Sequence, residues 1–544
     1  MAGNKSLMFV PLFMCMLTFV SSASSRHHTG RSSYEPHLDL IPGKETFQGN
    51  HIFYYMYNIT NPDEFEAGLE KPMFQEIGPY CFKETRRKYD VKKISESAMS
   101  YNLDRYWEFV PELSEGHKET DEFNIINIPM IILANKLSAK RLPKAFNDIL
   151  VEELSEKGET LVRRSEELGN IIYYGMNVSI YTEILSDVLQ GNVPPEFSDG
   201  IFALLKGKNG SSEGTFTVRS KGKEMGDILT FNNKTKLEYW GGDFCNKIDG
   251  TDGYFFRPGV NEKSTLKIFY PELCRSVYLK WTGEKKVDGI KVGKFMFPED
   301  MLEDSEVKSE NQCFCSKPIA PTNNTREGCL KKGFVDYAGC KQESPLLVSY
   351  PHFLYADDEY REKLVGMKPR PEKHESEFLV EPTTGTIVSG VRKFQFNVKL
   401  RPLDNVELFR NTTFMIVPVF ITERRMIVDD GAIDKLKQDL KKLSEEDEKP
   451  VIKELDLAQN HEEKKHEDQD SNVQSDQPPS EESAAAEPEP EPESNADNEI
   501  DTSNESKFKS QSVTKNRGSS SSFNYDMFPL LVSSLFAICI RLNV

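Results

Sequence analysis

The sequence predicts an α+β fold with a large antiparallel sheet for residues 34–425, and three patterns support this prediction. Mixed polarity and frequent aromatic residues across 34–425 are typical of a folded domain that buries a core. Apolar and polar residues alternate through 277–281 and 394–400, as expected for strands with one buried and one solvated face. Only residues 143–158 in this region repeat with a clear helical period.

The predicted strand at 394–400 has the clearest alternation. Its apolar positions are occupied by phenylalanine, valine and leucine, which we expect on the buried face. The intervening Gln395, Asn397 and Lys399 are expected on the solvated face.

The predicted helix runs from Pro143 to Gly158. Phe146, Ile149, Leu150 and Leu154 lie at helical spacing between these two residues. Proline at the first turn and glycine just past the end are the expected helix boundaries.

Net charge is concentrated in one part of the chain. The formal charge of the whole sequence is -19, and residues 429–505 contain 26 acidic and 8 basic residues. The remainder is nearly neutral and offers no broad basic face for a phosphate backbone. A nucleic-acid partner is therefore excluded from the expected functions.

The N-terminus predicts entry into the secretory pathway. Lys5 precedes an apolar run from Leu7 to Val20, and small residues follow it. This order is typical of a signal peptide, here residues 1–23. The run is shorter than the roughly 20 residues that span a bilayer, so a short N-terminal anchor is the alternative.

The C-terminal tail, residues 523–544, predicts a membrane tether. Its apolar run from Met527 to Ile540 is interrupted by proline and serine and is too short for a simple spanning helix. Small residues at 518–520, a polar spacer and a terminal apolar run are the order of a GPI-attachment signal. A short transmembrane helix is the alternative.

Residues 426–522 are predicted to form a disordered acidic low-complexity stalk. Between 427 and 457, scattered apolar residues at helical spacing predict a solvated helix. From 469 onward the chain is rich in Glu, Ser, Pro and Asn and lacks the apolar surface needed to offset its chain entropy.

Nine cysteines are present, and their positions favour disulfides. Six lie between Cys245 and Cys340, and in an oxidising compartment they predict three bridges with fifteen possible connectivities. A zinc site built from Cys313, Cys315, Cys329 and Cys340 is the competing interpretation.

Cys81 stands apart from the cluster of six. It is predicted to be a buried free thiol in a strand, with an intermolecular link as the alternative.

Glycosylation sequons are spread along the chain and agree with a lumenal or extracellular location. They occur at Asn58, Asn177, Asn209, Asn233, Asn323, Asn411 and Asn504.

Three patterns resemble catalytic sites, and none has the context that catalysis needs. Residues 210–214 match the G-x-S-x-G pattern of a hydrolase nucleophile, Ser212, but the following residues predict a strand, which makes this piece a hairpin loop. His461 and His466 are five positions apart and would face different sides of a helix. His352 is flanked by aromatic residues and is expected to pack or hydrogen-bond at the edge of a core. We expect no enzyme activity, cofactor or metal.

A series of short segments in a specific order resembles one receptor family. The resemblance covers roughly residues 54–421 and is to the class B scavenger receptors, a family that includes fatty acid translocase (platelet glycoprotein IV), a lysosomal integral membrane protein and sensory neuron membrane proteins. The segments that carry it are Asn58–Phe65, Lys71-Pro72, Glu76–Tyr80, Gly207–Gly210, Tyr239-Trp240, Cys245-Asn246, Gly250–Asp252, Leu273–Ser276, Cys313–Cys315, Pro351–Tyr355 and Glu381–Gly385.

The resemblance implies an antiparallel β-barrel ectodomain with an apolar tunnel, capped by a helical apical bundle that receives ligands. It also implies the pairs Cys245–Cys313, Cys274–Cys340 and Cys315–Cys329. Residues 143–158 correspond to the apical bundle, where packing against neighbouring helices is the alternative to ligand contact. The candidate ligand-binding residues there are Phe146, Ile149, Leu150, Lys140, Arg141 and Lys144.

The function implied is that of a cell-surface scavenger receptor that binds lipids or lipoproteins and transfers lipid through its tunnel. Fatty acids, phospholipids or sterols, and lipoprotein particles, are the expected partners. The expected location is the extracellular face of the plasma membrane, with the lumenal face of an endosomal or lysosomal membrane as the alternative. An adhesion receptor for a matrix or host protein, with a purely structural tunnel, is the competing function.

Overall fold

Seventeen strands are the main regular secondary structure in the described part of this computed structural model. The structure describes residues 50–139, 152–188, 191, 193, 195, 197–315, 329–341, 344–403, 406–410 and 412–445. In chain order the strands are β1 His51–Ile59, β2 Phe74–Ser95, β3 Ala98–Phe109, β4 Glu122–Ile126, β5 Val162–Glu167, β6 Met176–Asn177, β7 Ile201–Phe202, β8 Ser212–Arg219, β9 Ile228–Phe231, β10 Thr265–Tyr270, β11 Arg275–Val287, β12 Ile290–Met296, β13 Val335–Asp336, β14 Leu346–Ser349, β15 Glu377–Val380, β16 Ile387–Leu400 and β17 Met415–Ile427.

Thirteen of these strands form one antiparallel sheet. Its order is β10-β11-β12-β15-β16-β17-β1-β2-β3-β8-β9, with β14 paired to β16 and β13 paired to β14. Residues Gly250 and Thr251 lie between β10 and β9, the two edge strands of this sheet. The amide of Ile228 on β9 donates to the Gly250 carbonyl at 2.9 Å, and the amide of Phe269 on β10 donates to the Thr251 carbonyl at 2.9 Å. The sheet therefore curls into a nearly closed barrel, which confirms the predicted fold class.

The helices are short, and all but the last lie between strands. They are α1 Pro62–Glu66, α2 Ile128–Ala139, α3 152–156, α4 Ser179–Val188, α5 Asp243–Asn246, α6 Asp358–Arg361, α7 Pro371–His374, α8 Glu407–Arg410 and α9 430–445. A π-helix spans Asn170–Tyr174, and short 3₁₀ helices span Pro111–Leu113, Pro271–Leu273, Glu299–Leu302, Ser309–Phe314, Tyr337–Gly339 and Pro351–Phe353. Within the described ranges, every helix is too short or too polar to span a lipid bilayer as a single segment.

Helices α2 to α4 pack together at one side of the barrel core. Helix α2 begins after buried Asn127, whose side-chain oxygen accepts a hydrogen bond from the Met130 amide at 3.1 Å and so caps the helix. Leu137, Leu154 and Leu185, one from each of the three helices, belong to the same buried cluster as the β1 and β17 side chains. The barrel and these helices thus share one core.

The predicted helix from Pro143 to Gly158 is described only from residue 152 onward. Its last turn is present as α3, Leu154 is fully buried, and Gly158 adopts a φ of 80° that favours glycine after a helix end. The ligand-contact candidates Phe146, Ile149, Leu150, Lys140, Arg141 and Lys144 lie outside the described residues.

One face of the strand at 394–400 was predicted wrongly. Gln395 and Asn397 were expected in solvent, yet both are 0% exposed. The Gln395 side-chain oxygen accepts hydrogen bonds from the Tyr57 hydroxyl at 2.8 Å and the His352 amide at 2.7 Å. The segment containing His352 covers this face, so polar side chains are buried there with hydrogen-bond partners.

The folded region continues past residue 425, where the sequence predicted its C-terminal end. Strand β17 ends at Ile427, and α9 follows with Ile433 and Leu436 buried in one cluster with Ile290 and Val292 of β12. The predicted helix in this stretch is present, but one of its faces packs against the sheet. Residues 430–445 are therefore part of the folded region and not of a disordered stalk.

The G-x-S-x-G piece is not a hairpin loop. Strand β8 begins at Ser212, as the predicted strand requires, and no helix follows this serine. The preceding strand β7 pairs with β6, whereas β8 pairs with β3 and β9. The loop therefore connects two different sheets, and its serine lacks the strand-to-helix turn of a hydrolase nucleophile.

Candidate functional site

A cavity of about 390 Å³ lies against the inner face of the barrel sheet. This volume falls within the roughly 300–1,000 Å³ that is usual for small-molecule sites. Part of its wall is apolar or aromatic. The side chains of that part are Ile52, Tyr54, Trp107, Leu204, Leu205, Phe231, Tyr239, Pro271, Tyr337, Leu346, Phe396, Val419 and Phe420.

The period-2 geometry of the strands explains how these side chains reach the cavity. On β17, Phe420, Thr422 and Arg424 occupy alternate positions and all line the cavity. On β16, Arg392 and Phe396 lie on the same face. Arginine therefore occupies positions in the same inward register as the phenylalanines, which gives the cavity a charged wall beside an apolar wall.

Two arginines on this wall face each other directly. Arg392 on β16 and Arg424 on β17 are opposite partners in the antiparallel register, an arrangement in which like charges destabilise a sheet. Glu272 offsets this repulsion, because its carboxylate pairs with Arg392 and approaches Arg424 at 4.0 Å. The same carboxylate accepts a hydrogen bond from Arg105 at 2.9 Å.

A second arginine pair repeats this arrangement on the neighbouring hairpin. Arg86 on β2 is the register partner of Arg105 on β3. Glu213 pairs with Arg105 and lies 3.8 Å from Arg86. Fully buried Glu84 links the two sets, at 3.5 Å from Arg105 and 3.1 Å from Arg424. Four arginines and three glutamates therefore form one connected ion network.

The network keeps its carboxylates ionised. Burial alone would raise the pKa of Glu272, but the charges of Arg392, Arg105 and Arg424 outweigh burial and hold that pKa well below its usual value. Arg424 and Arg105 likewise lower the pKa of Glu84 despite complete burial. Both carboxylates are therefore charged at neutral and mildly acidic pH.

Two lysines add positive charge to the cavity wall. Lys208 and Lys341 both line the cavity and are solvent-exposed, as is Tyr239 nearby. Partial desolvation and the nearby charge of Lys208 lower the pKa of Lys341. Among the described residues neither lysine forms an ion pair, whereas each arginine of the network has a glutamate partner. These two lysines form the exposed cationic part of the wall.

The cavity as a whole is amphipathic. Its charged lining residues are Arg105, Lys208, Lys341, Arg392 and Arg424 on the positive side and Glu213 and Glu272 on the negative side. Two side-chain nitrogens of the lining, Nε of Arg424 and Nε1 of Trp107, are buried without a hydrogen-bond partner. An apolar wall beside a net positive wall suits a molecule with one apolar part and one polar or anionic part. The lining is thus less apolar than the tunnel that the family resemblance implies.

The three disulfides implied by the family resemblance are all present. They join Cys245 to Cys313, Cys274 to Cys340, and Cys315 to Cys329. Two of the six cysteines, Cys274 and Cys340, line the cavity, so one bridge braces its wall. No cluster of three metal-binding side chains occurs within the described ranges, and the disulfides replace the alternative zinc interpretation.

Cys81 is a buried free thiol on β2, as predicted. Burial raises the pKa of this thiol to about 11, so it is protonated at neutral pH.

His352 also agrees with its prediction, because it is buried and its Nε2 lies 2.5 Å from the Glu76 carboxylate. The backbone amide of Lys368 donates to Nδ1 of His352, which leaves Nε2 to donate to Glu76.

The sequon asparagines differ in accessibility. Asn177, Asn209 and Asn233 are exposed, and Asn58 is half-buried. The side-chain oxygen of Asn58 accepts a hydrogen bond from the Asn124 amide at 2.8 Å. The sequons at Asn323, Asn411 and Asn504 lie outside the described residues.

Sequence reasoning did not find the arginine network, although a signal for it exists. Arg392 lies two positions before buried Phe394 and Arg424 lies two positions before buried Met426, so both stand in the register of buried neighbours. A charged residue in the buried register of a strand points to a partnered interior charge. The partners, including Glu272, are more than a hundred positions away and follow only from the fold.

Comparisons with known proteins agree with this architecture. The sequence model of a family described as the CD36 family matches residues 46–446. Lysosome membrane protein 2 from Rattus norvegicus is 29% identical over 390 residues, which cover 71% of this chain and 77% of that protein. Sensory neuron membrane protein 1 from Apis mellifera is 30% identical over 406 residues, which cover 72% of this chain and 75% of that protein. Scavenger receptor class B member 1 from Mus musculus is 26% identical over 408 residues, which cover 74% of this chain and 76% of that protein.

Proposed function

The chain belongs to the CD36 family, and we propose that it is a membrane-tethered receptor whose interior cavity holds a lipid. The amphipathic cavity is the observation that carries this proposal, because a lipid has the same two parts as the cavity wall. The apolar wall receives an acyl chain or ring system, and the positive wall receives a polar or anionic headgroup.

The energetics favour an amphiphile over a purely apolar guest. Each methylene of an acyl chain removed from water contributes ~0.8 kcal/mol, which binds a chain without any reactive group in the protein. The headgroup gains charge-assisted hydrogen bonds from arginine and lysine, which are stronger than neutral ones. A fully apolar guest would instead leave Lys208, Lys341 and Nε of Arg424 without new partners.

The chemistry of the cavity supports binding without catalysis. Ser212 lines the cavity, but within the described residues the lining contains no histidine to act as its base. The charges of Arg392, Arg105 and Arg424 hold the pKa of the Glu272 carboxylate well below its usual value, so this group is a poor base at neutral pH. We therefore propose a receptor and carrier and not a hydrolase.

The relatives support a membrane location. Their names place them in the lysosome membrane, in sensory neuron membranes and among the class B scavenger receptors. Three disulfides in the folded region agree with an extracellular or lumenal environment. The proposed location is the outer face of the plasma membrane, with the lumenal face of an endosomal or lysosomal membrane as the alternative. Tethering is assigned to the C-terminal segment 523–544, and residues 1–23 are proposed to act as a signal peptide, with a short N-terminal anchor as the alternative.

Native mass spectrometry of the purified full-length protein tests this proposal. We expect a copurified amphiphile bound at one copy per chain. Thr422 lines the cavity, so Thr422→Phe should fill part of it and reduce the retained lipid severalfold. Thr217→Phe is the matched control, because Thr217 is also a half-buried strand residue but does not line the cavity. Absence of lipid from the wild type, or equal retention by the two variants, would contradict the proposal and favour the adhesion function.

A further inference from the structure

A second, smaller pocket lies beside the disulfides, next to a buried arginine. Arg275 is the first residue of β11 and follows Cys274 of the Cys274–Cys340 bridge. It is 6% exposed, and its guanidinium carbon lies 3.5 Å from the centre of the Phe314 ring. Stacking on an aromatic ring uses the flat face of the guanidinium and leaves its in-plane N–H edge available.

Arg275 has no counter-ion among the described residues. Its Nε is buried without a hydrogen-bond partner, and no carboxylate of the described ranges forms an ion pair with it. Burial lowers the pKa of this guanidinium to about 10. The buried arginines of the lipid cavity, Arg392 and Arg424, each have a glutamate partner. An unpaired buried charge is unfavourable, so the missing partner indicates an external ligand.

The acidic residues around Arg275 are already paired with other cations. Glu303 and Asp336 line the same pocket. Glu303 pairs with Lys332 at 3.0 Å, and Asp336 pairs with Lys399 at 2.7 Å. Their charges are therefore compensated, and the unmatched charge at the pocket wall is that of Arg275.

The size of the pocket restricts the ligand. Its volume is about 50 Å³, and its other lining residues include Trp240, Ser305 and Asn311. One water molecule needs ~10–15 Å³ by this measure, so the space suits a few waters or one small ion but not an acyl chain. The adjoining Cys245–Cys313, Cys274–Cys340 and Cys315–Cys329 bridges hold this region in place before any ligand binds.

We infer that this pocket is a binding site for one small oxyanion, of the size of sulfate or acetate, held by paired hydrogen bonds from the in-plane edge of Arg275. Guanidinium matches the geometry of an oxyanion through two parallel N–H···O bonds. The site is separate from the lipid cavity, because none of its lining residues lines that cavity. Its occupation does not depend on the proposed lipid function.

Calorimetric titration of the purified full-length protein with sodium sulfate tests this site. The titration is run against sodium chloride at equal ionic strength. Saturable sulfate binding is expected for the wild type, with affinity at least tenfold weaker in Arg275→Met. Arg257→Met is the control, because Arg257 is half-exposed and pairs with Asp227. No saturable binding in the wild type, or equal loss in the two variants, would overturn the inference.

A crystallographic measurement avoids reliance on a substituted protein. Crystals of the wild-type protein soaked in sodium selenate should show an anomalous selenium peak within hydrogen-bond distance of the Arg275 guanidinium. A pocket that contains only water under these conditions would overturn the inference even if Arg275→Met fails to fold.

Discussion

Arg392 and Arg424 lie directly opposite each other on β16 and β17, and the carboxylate of Glu272 lies against both guanidinium groups. Glu272 comes from a 3₁₀ turn between β10 and β11, more than a hundred positions away in the chain. The charged wall of the cavity is therefore stabilised by a contact between distant parts of the barrel. We expect changes at Glu272 to affect both stability and the proposed lipid binding.

Glu272→Gln should lower the free energy of unfolding by about 3 kcal/mol, because three arginines lose a shared counter-charge inside the barrel. Glu284→Gln is the matched control. Glu284 forms a surface pair with Lys291, with side-chain exposures of 49% and 70%, and such pairs contribute about 1 kcal/mol or less. Urea denaturation of the full-length protein measures both changes. Similar midpoints for the two variants would show that the network does not stabilise the barrel.

Acid should destabilise the protein through the same carboxylates. The pKa values of Glu272 and Glu84 are lowered in the folded state, whereas an unfolded glutamate titrates near pH ~4.3. Their contribution to stability is therefore fully present above about pH 5 and is lost as the pH falls through the folded pKa values. The midpoint temperature of thermal unfolding should change little between neutral pH and about pH 5, and it should fall steeply at lower pH.

The control for this pH profile is the Glu272→Gln variant. This variant lacks one of the carboxylates whose pKa is lowered in the folded state. Its loss of stability in acid should therefore be smaller than that of the wild type. An identical slope in both proteins would assign the acid sensitivity to other groups.

Lys208 and Lys341 should favour anionic headgroups. The double change Lys208→Gln with Lys341→Gln removes the exposed positive charges of the cavity wall. The affinity of this double variant for a fatty acid should be about tenfold weaker, equivalent to ~1.4 kcal/mol. The affinity of the wild type for the same fatty acid should weaken as the salt concentration increases. Affinity for an uncharged monoacylglycerol should be unchanged. A parallel loss of both ligands in a fluorescent-lipid competition assay would contradict headgroup selection.

The disulfides should differ in their contributions to stability. Cys274–Cys340 closes a separation of 66 residues, and Cys315–Cys329 closes one of 14. Loop-closure entropy predicts about 4 kcal/mol for the longer loop and about 3 kcal/mol for the shorter one. Replacing Cys274 and Cys340 by serine should also reduce lipid retention, because both residues line the cavity. The Cys315/Cys329 double serine variant is the control, and equal lipid loss in the two variants would contradict this assignment.

The sequence predicted the barrel strands wherever alternation is strong. Strand β16 and the Val277 to Trp281 part of β11 were both anticipated. Alternation alone does not show what covers the second face of a strand, which is why Gln395 and Asn397 were wrongly placed in solvent. A polar residue on that face is equally compatible with water and with a covering segment that supplies hydrogen bonds.

The candidate site was much harder to predict than the fold. The three disulfide pairs followed from the family resemblance, because spacing alone left their connectivity open. The cavity wall combines Arg105, Glu272, Arg392 and Arg424 from strands and turns that are far apart in sequence. Only the register of the folded sheet brings their charges together, so composition and local periodicity contain little information about them.

Photo-crosslinking tests directly whether a lipid occupies the cavity. A fatty acid with a diazirine near the middle of its chain is bound to the full-length protein and irradiated, and the labelled residues are mapped by peptide mass spectrometry. We expect labelling of cavity residues such as Leu204, Leu205, Phe396 and Phe420, abolished by excess unlabelled fatty acid. Competable labelling confined to residues outside the cavity would contradict a lipid site inside the barrel.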